Sequence, residues 1–91
     1  MIFRRGNTTL EINIKEDKYT ICYTCLSGLK IEVVINIMKQ SLISLFCYDR
    51  DGRLEDIADF CELALESFVE TLEWFGLTEE LSIISKEVVL Y

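Results

Sequence analysis

Six carboxylates recur along one stretch of this chain: Glu55, Asp59, Glu62, Glu66, Glu70 and Glu73, spaced four, three, four, four and three. On a helix, at 100° per residue, they fall within about 80° of one another and run about 27 Å along the axis. No Lys or Arg alternates with them. Like charges at i,i+4 each cost a few tenths of a kcal/mol, whereas a face built for solubility interleaves Lys with Glu and gains instead. A row that accepts this cost suits docking on a basic groove of a partner. The same row also reads as an ordinary solvated face of an acidic protein. Phe60, Leu63 and Trp74 lie beside it, and charges edged by large apolar groups resemble an interface in which aromatics anchor and charges steer. Their alternative reading is a second layer of core or a dimer contact.

The other chemistry-bearing residues are weaker. Cys22-Tyr23-Thr24-Cys25 has the two-residue spacing of a zinc knuckle or redox pair, and a structural zinc would take Cys47 and Cys61 as its remaining ligands. Cys22 and Cys25 fall in a predicted strand, where positions three apart point to opposite faces, and no second pair of this spacing exists. All four cysteines sit in apolar patterns, so reduced, buried thiols are expected, with no metal and no cofactor. Asp49-Arg50-Asp51-Gly52 looks like part of a calcium-binding loop, but Arg50 and Arg53 intrude and Ala58 stands where the required Glu would be. Turn chemistry explains these four residues.

Catalysis finds no constellation. There is no histidine, which removes the commonest general base and metal ligand. A Cys or Ser nucleophile lacks its usual activator, and the helix carboxylates form a solvated row rather than a perturbed pair. The four glycines stand apart, so no phosphate-cradling loop forms.

The 91 residues make one domain, 1–91, with a net charge of −7. Residues 1–50 hold seven basic and five acidic groups, whereas residues 51–91 hold two basic and eleven acidic. The acidic half would repel a bare nucleic-acid backbone, so direct nucleic-acid binding is not expected. The carboxylates come about one per 5 Å, sparser than the one charge per 1.7 Å of duplex, so mimicry of nucleic acid needs a dimer or the Glu79-Glu80 pair to add charge. No apolar run approaches the ~20 residues of a membrane-spanning helix, and the N-terminus does not read as a signal peptide, so a cytoplasmic, reducing location is expected. The chain is 51% hydrophobic, much for one small core, and some of that surface is expected to meet a second copy or a partner.

The elements that must position these residues follow from periodicity. Leu10–Lys15 alternates as a half-buried strand, and Tyr19–Leu26 returns as its hairpin partner. Ile31–Met38 and Leu42–Tyr48 read as two further strands, apolar on both faces and central. A long helix is predicted from Arg53 to Phe75, with Leu54, Ile57, Cys61, Ala64, Leu65, Phe68, Leu72 and Phe75 on its core face and Gly76 as its left-handed cap. Ile83–Tyr91 reads as a last strand. The expected fold is α+β: an antiparallel, meander-like sheet of four to five strands with one long amphipathic helix on one face. A homodimer, stacked sheet on sheet or helix on helix, would cover the bare face.

In size and charge the chain is similar to small acidic proteins of phages, viruses and plasmids that inhibit host nucleic-acid enzymes, such as anti-CRISPR-like proteins. That resemblance implies a non-catalytic inhibitor or adaptor whose partner is a basic, nucleic-acid-handling protein. The alternative is a structural homodimer or assembly subunit that uses an apolar sheet face.

Overall fold

The computed structural model of the protein describes residues 1–25 and 27–88. Short polar turns separate alternating apolar runs, and each run pairs with the next. The result is one six-stranded antiparallel meander, in the order β1 (Ile2–Arg5), β2 (Thr8–Lys15), β3 (Lys18–Thr24), β4 (Lys30–Asn36), β5 (Ser41–Tyr48) and β6 (Leu54–Glu55). A single 3₁₀ turn, Ile57–Asp59, leads into α1 (Glu62–Trp74), and α2 (Thr78–Ser85) follows.

The meander was expected, but the count of strands and the long helix were not correct. β1 and β6 extend the sheet to six strands, and β6, a 3₁₀ turn and the short helix α1 occupy the stretch predicted as one helix from Arg53 to Phe75. The reason lies at the start of that segment. Asp49 closes a hairpin loop: its Oδ1 accepts from the backbone N–H of Asp51 and of Arg53, each at 2.9 Å. The Asp49 N–H donates to the Arg53 carbonyl at 2.9 Å, and Gly52 takes the positive φ of 80° that the loop requires. The chain therefore re-enters the sheet, with Leu54 opposite Tyr48 and Glu55 opposite Cys47. Asp56 then caps the 3₁₀ turn by accepting from the Ala58 N–H. A helix of about 23 residues would be about 35 Å long, longer than the 33 Å major extent of the whole molecule. The C-terminal end of the helix is as predicted. Gly76 sits at φ 75°, with Leu77 N–H on the Leu72 carbonyl at 2.8 Å and Gly76 N–H on the Glu73 carbonyl at 3.1 Å. This is the left-handed closure that glycine permits.

The predicted last strand is also corrected. Ile83 and Ile84 are buried side chains of α2, not of a strand. The β-branched run Ile83-Ile84 suggested extended chain, but Leu77, Leu81 and Ile84 repeat at helical spacing, and Glu79 and Glu80 sit in the first turn, where the helix dipole favours acids. Residues 89–91 of that predicted strand lie outside the described residues.

The core is a single layer between the sheet and the two helices. From the sheet come Leu10, Ile12, Ile21, Tyr23, Ile31, Val33, Ile35 and Cys47; from the helical side come Phe60, Ala64, Leu65, Phe68, Val69, Leu72, Ile83 and Ile84. α1 lies over the β1–β3 side: Phe75 meets Phe3 at 4.7 Å between ring centroids, and Phe68 meets Tyr23 edge-on at 5.4 Å. α2 packs on β4, β5 and α1. The opposite sheet face is not the apolar surface expected. The register places Glu11, Cys22, Glu32 and Phe46 in one row across it, and Thr9, Thr24, Lys30 and Tyr48 in the next. Polar groups alternate with apolar ones there, so β4 and β5 are not apolar on both faces.

Two buried groups carry a pH consequence. Burial pushes the Tyr23 hydroxyl up from its ordinary range, and burial with the nearby charges of Glu55 and Asp56 pushes the Cys47 thiol up to about 11. Both groups are neutral in the fold. Raised folded-state values mean that their contribution is fully present below the unfolded values, about 8.5 for Cys and 10 for Tyr, and is lost as pH rises through the folded ones. Denaturant midpoints are expected to hold steady up to about pH 8.5 and to fall from there to pH 11. A flat profile across that window would contradict the neutral, buried assignment.

Candidate protein-docking face

The acidic row is shorter than the sequence predicts. Glu55 belongs to β6 and Asp59 to the 3₁₀ turn, so neither shares the helix. Glu62, Glu66, Glu70 and Glu73 remain in line on α1, all exposed, over about 16 Å of axis. The opposite side of α1 buries Ala64, Leu65, Phe68, Val69 and Leu72, which fixes the direction in which the carboxylates point. From Leu54 to Ser85 the chain has no Lys or Arg, so no cation on α1 or α2 offsets them.

The three predicted anchors separate. Phe60 is 4% exposed and belongs to the core, so it cannot anchor a partner. It follows the 3₁₀ turn rather than riding on a continuous helix, and this swings the ring inward. Leu63 and Trp74 are 74% and 68% exposed. Eleven residues apart, they stand about 20° from each other around α1, directly beside the carboxylates. The exposed face of α1 is therefore an acidic row with one large apolar side chain at each end.

The fold adds two features that the sequence does not disclose. The guanidinium carbon of Arg5 lies 4.7 Å from the centre of the Trp74 ring, so β1 holds the indole by a cation–π contact. Leu63 borders a shallow groove of about 420 Å³ between α1 and the ends of β2 and β3, lined also by Thr8, Cys25, Leu29, Ala64 and Ser67. Neither is visible in sequence, because Arg5 and Trp74 are 69 positions apart and nothing local pairs them.

The cysteines do not assemble. Cys22 stands half-buried on the open sheet face, Cys25 lies past the end of β3 with its Sγ 2.9 Å from Ser27 Oγ, Cys47 is in the core and Cys61 is exposed at the start of α1. Burial, with Glu32 and Glu11 nearby, pushes the Cys22 thiol up, away from the thiolate that ligation or redox exchange uses. Among the described residues no three metal-ligating groups converge. Among them, too, no helix is long and apolar enough to cross a membrane. The Asp49 carboxylate, part of the calcium-like sequence, is already engaged by two backbone N–H groups. Comparison with protein families, with curated proteins and with solved structures finds no match.

Proposed function

We propose that the protein is a non-catalytic binding module that docks the exposed face of α1 on a basic surface of a partner protein, of the kind nucleic-acid-handling enzymes present. The supporting observation is the alignment of Glu62, Glu66, Glu70 and Glu73 with exposed Leu63 and Trp74 on one helix face, with no cation interleaved. Carboxylates at this spacing steer association and reject acidic partners. Leu63 and Trp74 provide the apolar area that holds a complex once formed, and tryptophan is among the residues most often found at such anchor points. The alternative use of the open sheet face is less favoured, because charged and polar side chains interrupt it.

Capture from a host lysate at low and high salt, with mass identification, tests this reading. Wild-type protein is expected to retain a basic protein at low salt and to release it as salt screens exposed charges beyond about 8 Å. Glu66→Lys with Glu70→Lys is expected to weaken that complex about 10- to 100-fold at low salt while leaving the fold intact, because both side chains are exposed. A complex indifferent to both salt and the double reversal would refute the docking role of α1.

A further inference from the structure

The groove beside Leu63 sits at the foot of the acidic row. Leu29, Leu63 and Ala64 give it apolar walls, and its volume is about 420 Å³. The hydroxyls along it are already engaged within the fold. Thr8 Oγ1 donates to the Arg5 carbonyl at 2.7 Å, Ser67 Oγ accepts from the Tyr23 hydroxyl, and Ser27 Oγ lies 2.9 Å from Cys25 Sγ. A recess of this size, with its hydrogen bonds made inside the protein, suits a large apolar side chain rather than a polar ligand.

The helix sets what must accompany that side chain. Glu66, Glu70 and Glu73 follow Leu63 by three, seven and ten residues, within about 80° of it around α1. A chain that starts in the groove and runs along α1 therefore passes over three exposed carboxylates. They repeat at four and three residues, about 6 and 4.5 Å of axis, and a second helix matches those rises with side chains at the same spacings. Trp74 closes the row, with Arg5 already over its ring.

We propose that the docking partner enters as a basic helix with one large apolar side chain, which fills the groove beside Leu63 while Lys or Arg at three- and four-residue spacings meet Glu66, Glu70 and Glu73. This rests on the docking role of α1 and names the element that docks there. Charge complementarity selects the occupant. A second copy does not supply it, because α1 and α2 hold no Lys or Arg. Opposed helix dipoles favour the antiparallel arrangement. The apolar side chain then stands near the C-terminal end of the partner helix, beside the N-terminal turn of α1.

Isothermal titration calorimetry with alanine-based helical peptides tests the proposal. The probe carries Phe near its C-terminal end and Lys three, seven and ten residues before it. At low salt it is expected to bind, and its counterpart with Ala in place of Phe to bind about tenfold more weakly. A counterpart with Gln in place of the three Lys is expected to lose more than tenfold. Leu63 is 74% exposed, so Leu63→Ala leaves the fold intact, which far-UV circular dichroism checks. That variant is expected to weaken the Phe peptide about tenfold and to leave the Ala peptide unchanged, because the two losses remove one contact. Phe and Ala peptides that bind alike, or a Gln peptide that binds as well as the Lys one, overturn the proposal. So does the absence of binding by every peptide. The docking role of α1 fails separately, when capture from lysate is indifferent to salt and to Glu66→Lys with Glu70→Lys.

Discussion

Phe68→Ala is expected to lose about 3–5 kcal/mol of folding stability, the range for removing a buried aromatic side chain. Phe68 is fully buried at the middle of α1 and meets Tyr23 edge-on at 5.4 Å. Tyr23 is itself fully buried, and its hydroxyl donates to Ser67 Oγ on the same helix. One truncation therefore removes the contact that seats α1 on β3 and opens a cavity against a ring that cannot turn away without giving up its hydrogen bond. A domain of this size holds about 5–15 kcal/mol in total, so the variant is expected near the edge of folding at room temperature. Urea titration followed by tryptophan fluorescence measures this well, since Trp74 lies on the helix in question. A loss under about 1 kcal/mol would mean that α1 is not anchored through this pair.

Asn36→Ala is expected to cost about 2–3 kcal/mol, a large effect for so small a deletion. Asn36 is 8% exposed and joins two turns at the same end of the sheet. Its Oδ1 accepts from the Lys39 N–H at 3.0 Å, closing the β4–β5 turn, and its Nδ2 donates to Asp17 Oδ2 at 3.1 Å in the β2–β3 turn. Alanine removes one bond to a charged acceptor, worth about 1.5–3 kcal/mol, and one to a backbone donor, worth about 0.5–1.5 kcal/mol. Amide exchange adds a local readout, because Lys39 is expected to lose protection well before the core strands do. An unchanged urea midpoint would contradict this bridging role.

Other buried positions illustrate what was legible in the chain. Leu10 and Ile12 alternate with exposed Glu11 and Asn13, and Ile31, Val33 and Ile35 follow the same period in β4. A two-residue repeat bounded by polar turns specifies a strand and its inward face whatever its neighbours are. Gly76 was equally plain, since only glycine takes φ 75° without a penalty where a helix must end. Of the predicted docking face, Glu62, Glu66, Glu70, Glu73, Leu63 and Trp74 remain together, because all lie within one uninterrupted helical period.

The misreadings fall where local pattern and long-range pairing compete. Leu54 and Ile57 fit a helical stripe as well as they fit their actual places, and spacing alone cannot separate the two. Pairing of Leu54 and Glu55 with Tyr48 and Cys47 decides it, through a loop clamped by Asp49. Once the helix starts at Glu62, Phe60 turns into the core, and Glu55 moves to the far edge of the sheet. Composition and periodicity thus determined an acidic α+β chain, its meander and the polarity of one helix face, because these are properties of neighbouring residues. The strand count, the helix length and the Arg5–Trp74 contact were decided only by tertiary structure, because each depends on which distant segments come together.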